Sequence, residues 1–307
     1  MKKDILTLLD LTKEDFDYLF ERAIELKKIG RENHIRRCLA GKTLGMIFDK
    51  PSTRTRISFE SAMIQLGGMP IFINARDTQI ARDEPVRDTV RVLSRYIDAL
   101  AIRTFSQDLL HEFALFADIP VINALTDLYH PTQVLSDIMT VIEKKGGYEN
   151  LKIAWVGDGN NVANSWINAA SILGLNLVLA CPPGYEPDER LVEAAKDRRC
   201  GTISVTSDPE AAVDHADVIY TDVWASMGQE DEQAKRRRIF QAFTIDKGLV
   251  NRAAPDVIVM HCLPAHRGEE ISEDVLEGPR SVVWDQSENK MHMNKAILES
   301  LINQSQS

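Results

Sequence analysis

The chain has 307 residues, with 36 Lys+Arg against 46 Asp+Glu for a formal net charge of −10; it is 44% hydrophobic and 27% charged. At roughly 150 residues per domain this length suggests two domains, and the composition excludes wholesale disorder. The acidic excess argues against a general affinity for nucleic-acid phosphates or anionic membranes, while leaving room for a small anion in a local cationic pocket.

Taken in chain order, Thr12 and Asp15 have the spacing of a capping box, and Phe16, Leu19, Phe20, Ala23 and Ile24 follow at helical period. The run Thr43–Phe48 reads as a buried strand leading through Pro51 and Ser52 into a helix from Ile57 to Leu66, stopped by Gly67-Gly68. Strand Pro70–Asn74, helix Glu84–Tyr96, strand Asp98–Thr104, helix Gln107–Ala117, strand Val121–Leu125 and helix Val134–Lys145 repeat the cycle up to Gly146-Gly147. A second series follows: strand Lys152–Gly157, helix Val162–Leu173, strand Leu177–Cys181, helix Glu189–Arg198 and strand Thr202–Thr206. A short helix near Ala211, strands Asp217–Val223, Val257–Cys262 and Ser281–Asp285, and a final amphipathic helix Asn289–Ile302 complete the chain. Strands alternating with helices make parallel βαβ units, hence an α/β protein with a parallel sheet flanked by helices in each of two domains. The diglycine places the division at residues 1–146 and 147–287, with the last helix (288–307) expected to pack back on the first domain.

The N-terminus reaches Asp4 without a long apolar region or a small-residue cleavage site, and no run approaches ~18 apolar residues. Cys38, Cys181, Cys200 and Cys262 show neither CxxC spacing nor the density of a disulfide framework. These features point to the cytoplasm.

Ligands of open parallel sheets collect beyond the carboxyl ends of strands, and four such places are chemically loaded. Lys50-Pro51-Ser52-Thr53-Arg54-Thr55-Arg56 joins a strand to a helix. Free N–H groups of a first helical turn, hydroxyls and guanidiniums suit a phosphate-like oxyanion; the alternative is a capped helix with solvated arginines. The segment is not a Walker A loop. Arg103 ends an apolar strand, either aimed at the same ligand or lying on the surface past the strand end. His130-Pro131-Thr132-Gln133 opens a helix with proline suited to its first position, so His130 is either a hydrogen-bonding group at the site or structural. Met260-His261-Cys262-Leu263-Pro264 allows a metal site, a thiol nucleophile or a turn binding ligand through its backbone; no further Cys or His completes a tetrahedral zinc set, and no metal is expected. Gly157-Asp158-Gly159-Asn160-Asn161 follows a strand but lacks the third glycine and the downstream acid of a dinucleotide fingerprint, so no nicotinamide cofactor is expected. The basic run Lys235-Arg236-Arg237-Arg238 reads as a solvated helix face rather than a nucleic-acid patch.

Together these motifs resemble the transcarbamoylase family. Ser52-Thr53-Arg54-Thr55-Arg56, Arg103 and His130-Pro131-Thr132-Gln133 resemble the carbamoyl-phosphate signature shared by its aspartate and ornithine branches. Asp222-Val223-Trp224-Ala225-Ser226-Met227-Gly228 and His261-Cys262-Leu263-Pro264 resemble the ornithine branch. The resemblance spans the whole chain in motif order. It implies two parallel-sheet domains with the active site in the cleft between them, and transfer of the carbamoyl group of carbamoyl phosphate to the side-chain amine of L-ornithine, giving L-citrulline and phosphate.

By the same resemblance Ser52, Thr53, Arg54 and Thr55 hold the phosphate. Arg103 and His130 polarise the carbonyl, while Gln133 with the Cys262–Leu263 backbone receives the carbamoyl NH2. Gln79 is lent by a neighbouring subunit of a homotrimer. Asn161, Asp222, Ser226 and Met227 hold ornithine, with Asp222 and Cys262 around its amine. No cofactor is implied, nor any nucleic-acid or membrane partner. Lys290 stands where the family usually carries Arg; it keeps the charge without the bidentate fork. The competing readings are a relative with another acceptor (aspartate, putrescine or an acylated ornithine), a catalytically silent binding or regulatory subunit, and a cysteine hydrolase built on Cys262.

Overall fold

Short apolar runs alternating with amphipathic stretches produce two parallel sheets. The computed structural model describes residues 4–31, 37–74, 76, 78, 84–198, 201–225 and 232–304. The chain forms two compact units, Met1–Met139 with Glu288–Ser307 and Thr140–Ser287.

The first unit begins with α1 (Lys13–Arg31). Its N-terminus carries the expected capping box: the Asp15 N–H donates to Thr12 Oγ1 at 3.3 Å and the Thr12 N–H to Asp15 Oδ2 at 2.9 Å. The elements β1 (Thr43–Phe48), α2 (Thr53–Gln65), β2 (Met69–Asn74), α3 (Val86–Leu93), β3 (Ala99–Arg103), α4 (Gln107–Phe116), β4 (Val121–Leu125) and α5 (Pro131–Lys145) follow. The strands order as β2-β1-β3-β4, all parallel, with Phe48 of β1 opposite Arg103 of β3. Helix α3 is shorter than the sequence suggests, because Pro85 takes the N-cap position and Ser94 the C-cap. Ile47, Val90, Leu100, Ile102, Leu110 and Phe113 share one core.

The second unit contains β5 (Lys152–Val156), α6 (Asn161–Leu173), β6 (Asn176–Ala180), α7 (Glu189–Lys196), β7 (Thr202–Thr206), α8 (Pro209–Val213), β8 (Val218–Thr221), α9 (Gln233–Phe240), α10 (Lys247–Val250), β9 (Ile258–His261) and α11 (Glu273–Leu276). Its strands order as β7-β6-β5-β8-β9, again parallel. Val156, Ile219, Val259, Leu249, Val275 and Leu276 form its core, and Trp155 stacks on Tyr220 at 5.2 Å between ring centroids.

The final helix, α12 (Val283–Gln304), overturns one expectation. Ser281–Asp285 is not a strand: Ser281 makes a single bridge to Val259 and the chain turns helical at Val283. Val283, Gln286, Lys290 and Met293 are buried at helical spacing while Trp284 between them is 58% exposed, so the apolar run follows the 3.6-residue period of the downstream helix. From Glu288 onward α12 belongs to the first unit, where Asn294 Nδ2 donates to Ser58 Oγ of α2 and Glu299 binds Arg22 of α1. No described helix is long and apolar enough to cross a membrane.

In each sheet the strand order reverses beside the first strand of the unit. The chain steps from β1 outward to β2 and then across to β3, and likewise from β5 to β6 and β7 before crossing to β8. The loops leaving the two strands that flank such a reversal splay apart and leave a crevice for a ligand. In the first unit these loops begin at Asp49 and Thr104; in the second, at Gly157 and Asp222.

Candidate active site

The first crevice is cationic. Ser52 caps α2, its hydroxyl accepting the Thr55 N–H at 3.3 Å, so the following turn presents hydroxyls and backbone donors at the positive end of the helix dipole. Thr53 and Arg54 are exposed, and Thr55 is buried. Arg103 is buried at the carboxyl end of β3, and Pro131 takes the first position of α5, directly after buried His130. Lys290, reaching in from α12, joins the pieces: its Nζ donates to Gln133 Oε1 at 2.7 Å and Thr55 Oγ1 at 3.1 Å and lies 3.3 Å from His130 Nε2. Gln133 is in turn held by Asp137, to which its Nε2 donates at 2.8 Å.

Burial first, then the positive charges of Lys290 and Arg103, hold His130 well below the usual histidine pKa, so the ring is neutral at neutral pH. An ammonium can only donate; Nε2 therefore accepts from Lys290 and the ring proton sits on Nδ1. A cavity of about 490 Å3 lies along the start of α2 and the end of β2, lined by Lys50, Ser52, Thr53, Arg56, Phe72 and Arg76 among others. Lys50, buried against the Phe105 ring and paired with Asp127, and Arg56, stacked 3.6 Å from the Phe72 centroid, have their charges placed by aromatic faces.

The second crevice is acidic. Asn160 caps α6, its Oδ1 accepting the Val162 and Ala163 N–H groups, and its Nδ2 donates to Asp222 Oδ2 at 2.8 Å. Buried Asp222 accepts its neighbour Val223 N–H and, at 3.0 Å, the Cys262 thiol through Oδ1. The sulfur thus carries its proton in this arrangement. Asn161 is half-buried beside these residues. Gly159 cannot be replaced without displacing the turn, since a Cβ there would stand 2.3 Å from the Pro187 nitrogen.

The ligand atoms of Asp222, His261 and Cys262 lie within 4.8 Å of one another, closer than the sequence implies for a metal-capable set. The histidine is already committed. His261 Nδ1 accepts the Leu263 N–H at 2.9 Å, which fixes the ring proton on Nε2, 3.0 Å from buried Glu270. The ring is therefore neither poised as a base for Cys262 nor free to ligate. It holds the Leu263 turn, whose φ of 59 is unusual for a branched residue.

The structure thus collects Ser52, Thr53, Arg54, Thr55, Arg103, His130, Gln133 and Lys290 in one unit, and Asn161, Asp222, Cys262 and Leu263 in the other. Gln79, Ser226 and Met227 lie outside the described residues. Sequence reasoning misses Asn160 and Glu270; the first is legible as a helix N-cap, whereas nothing local marks the second. The basic run departs from expectation at one position. Arg236 is buried and paired with Asp158 at 3.0 Å, because α9 turns it inward against the aromatic rings of Tyr185 and Phe240.

Comparison with known proteins finds matches along nearly the whole chain. Residues 3–143 match the family model described as aspartate/ornithine carbamoyltransferase, carbamoyl-P binding domain, and residues 149–301 match its Asp/Orn binding domain. The chain is 57% identical to the ornithine carbamoyltransferase of Syntrophus aciditrophicus, with 98% of this chain and 100% of that protein covered. It is 54% identical to that of Geobacter sulfurreducens over the same shares. The solved structure of the ornithine carbamoyltransferase from Pyrococcus furiosus superposes with a TM-score of 0.94 at 49% identity, covering 98% of this chain and 97% of that one.

Proposed function

The chain belongs to the aspartate/ornithine carbamoyltransferase family, and from that premise we propose that it transfers the carbamoyl group of carbamoyl phosphate to the side-chain amine of L-ornithine, giving L-citrulline and phosphate. The observation that carries ornithine over aspartate is the Asn160–Asp222–Cys262 hydrogen-bonded series in the second unit. A buried carboxylate complements an amine or ammonium and would repel the second carboxylate of aspartate.

In the first unit, Ser52, Thr53, Arg54 and Thr55 bind the phosphate with the amino end of α2. Arg103 and the Nδ1–H of neutral His130 polarise the carbonyl oxygen and stabilise the oxyanion that forms as the amine adds. Gln133 accepts from the carbamoyl NH2, and Lys290 fixes Gln133, Thr55 and His130 relative to one another. In the second unit, Asn161 and Asp222 hold ornithine. The amine, with an unperturbed pKa near ~10.4 as in lysine, must shed a proton to become a nucleophile. The Asp222 carboxylate receives it, with the Cys262 thiol donating to that carboxylate. The neutral nitrogen then attacks the carbonyl carbon, and the carbon–oxygen bond to phosphate breaks. Carbamoyl phosphate is already activated, so the reaction as proposed needs no cofactor.

Gln79, Ser226 and Met227 complete the binding set in this proposal, with Gln79 coming from a neighbouring subunit of a homotrimer. The exposed apolar side chains of Ile57 and Ile64 on α2 and of Met69 and Ile71 on edge strand β2 suit such an interface. We take 1–146 and 147–287 as the functional domains. The location proposed is the cytoplasm; Cys38, Cys181 and Cys262 form no disulfide.

A colorimetric citrulline assay with carbamoyl phosphate and ornithine, aspartate or putrescine tests the reaction. Ornithine is expected to be the preferred acceptor; turnover with aspartate or putrescine and none with ornithine overturns the reading. Sizing chromatography tests the trimer.

A further inference from the structure

Arg236 is the one member of the run Lys235-Arg236-Arg237-Arg238 that is buried. Its Nη1 donates to the Trp224 carbonyl at 2.6 Å and lies 3.0 Å from Asp158 Oδ2, and its Nε lies 3.3 Å from Glu232 Oε2. The guanidinium is 4.8 Å from the Tyr185 ring centroid, an aromatic face that favours a planar cation. Trp224 stands two residues after Asp222. Asp158 stands two residues before Asn160, the side chain that donates to Asp222.

The guanidinium therefore ties the loop leaving β8 to the turn leaving β5, and the same two segments meet again one step nearer the strands through Asn160 and Asp222. A circuit results: Arg236 to Asp158, along the turn to Asn160, across to Asp222, and along the chain to Trp224 and back to Arg236. Such a doubly closed connection leaves Asp222 little freedom to rotate or withdraw from the Cys262 thiol.

We propose that Arg236 is a positioning residue of the amino-acid half-site, fixing through Trp224 and Asp158 the placement of Asp222 and thereby the affinity for ornithine. The proposal rests on the assignment of Asp222 to ornithine made above. Burial raises the Asp158 carboxyl to about 6 against the lowering effect of Arg236, with Asp222 and Glu232 adding to the rise; the pair is ionised at neutral pH. The buried Cys181 thiol feels the Asp158 charge as well, and the Tyr185 ring faces Arg236.

Steady-state kinetics of citrulline formation on the full chain tests this. Arg236→Met is expected to raise KM for ornithine at least tenfold while KM for carbamoyl phosphate changes less than twofold, because the anion site lies in the other unit. Arg236→Lys keeps the charge but not both contacts, and should raise the ornithine KM severalfold without a matching loss of thermal stability. Should Arg236→Met fail to fold, the double variant Asp158→Asn/Arg236→Met, which leaves no uncompensated buried charge, takes its place with the same expected KM split.

An unchanged ornithine KM in the folded variants overturns the proposal, as does a loss of kcat and stability that spares the ratio of the two KM values. Wild-type chain that makes no citrulline from ornithine overturns the functional reading and this proposal with it. If Asp222→Asn raises the ornithine KM and the Arg236 variants do not, the positioning role alone is wrong.

Discussion

The two units place their chemistry at the same topological position with opposite sign. In the first, the reversal between β1 and β3 gathers Lys290, Arg103, Arg54 and a neutral histidine around a capped helix start; in the second, the reversal between β5 and β8 gathers a carboxylate, a thiol and an amide around another. Architecture supplies the crevice and the free helix N–H groups in both. Which ligand each crevice suits is decided by a few side chains after the strands, so the overall charge of −10 describes neither site. The contrast extends to how each charge is secured. Lys290 donates to Gln133 and Thr55 and arrives from a helix remote in sequence, whereas Asp222 is held by an amide and a thiol and braced by an ion pair one layer behind it.

The largest test of this contrast is the brace itself. Arg236→Met leaves Asp158 buried without its cation, and the fold is expected to lose ~3–5 kcal/mol at pH 8. At pH 5, below the value of about 6 to which burial already raises Asp158, the carboxyl is neutral and the deficit should shrink. Chemical denaturation at both pH values reads the difference; an equal deficit at the two would break the idea that the pair is ionic.

In the first unit, Lys290→Met removes the donor to Gln133 and Thr55, and KM for carbamoyl phosphate is expected to rise about a hundredfold, or ~3 kcal/mol for a buried charge-assisted contact. In the second, Asp222→Asn keeps shape and loses charge. It is expected to lower kcat/KM for ornithine by about the same factor while leaving KM for carbamoyl phosphate in place. Together the two variants separate the half-sites kinetically; if both raised the same KM, the assignment of one ligand to each unit would be wrong.

The buried titratable groups also contrast. His130 is neutral when folded, with its pKa below that of the unfolded chain, so below about pH 6.5 the unfolded state binds the extra proton and stability falls with acidification. Asp158 behaves oppositely. Its raised pKa means that the folded state binds the extra proton between the ordinary carboxyl value of 3.8 and about 6, and stability rises as pH falls through that window. Melting temperature against pH should therefore fall less steeply on the acid side for His130→Asn than for wild type, and more steeply for Asp158→Asn. The smallest stability effect expected is that of Ser52→Ala, which removes one N-cap hydrogen bond worth ~1 kcal/mol and should raise KM for carbamoyl phosphate more than KM for ornithine.

Legibility follows distance along the chain. The capping box of α1, proline at the start of α5, the helix start at Ser52 and nearly all strands are local patterns, and each appears in the structure where its residues stand. The basic run is misread from sequence because whether Arg236 is solvated depends on Asp158, Tyr185 and Trp224, which are brought to it from other segments. The apolar run at Val282–Trp284 is misread as a strand because both periods fit so short a segment, and the choice is made by residues further along α12 that bury against the first unit. Glu270 carries no local mark at all; only the return of the chain under His261 reveals it.

The amino-acid sequence by itself determined the class of fold, candidate residues for an anion and an amine, and the resemblance that joins them, since periodicity, capping and motif spacing are properties of neighbouring residues. Tertiary structure alone decided that Lys290 meets Gln133 and His130, that His130 is neutral, and that one arginine of the basic run is buried behind Asp222. Each of these depends on desolvation and charge supplied by segments distant in sequence, and such fields exist only once the chain has closed on itself.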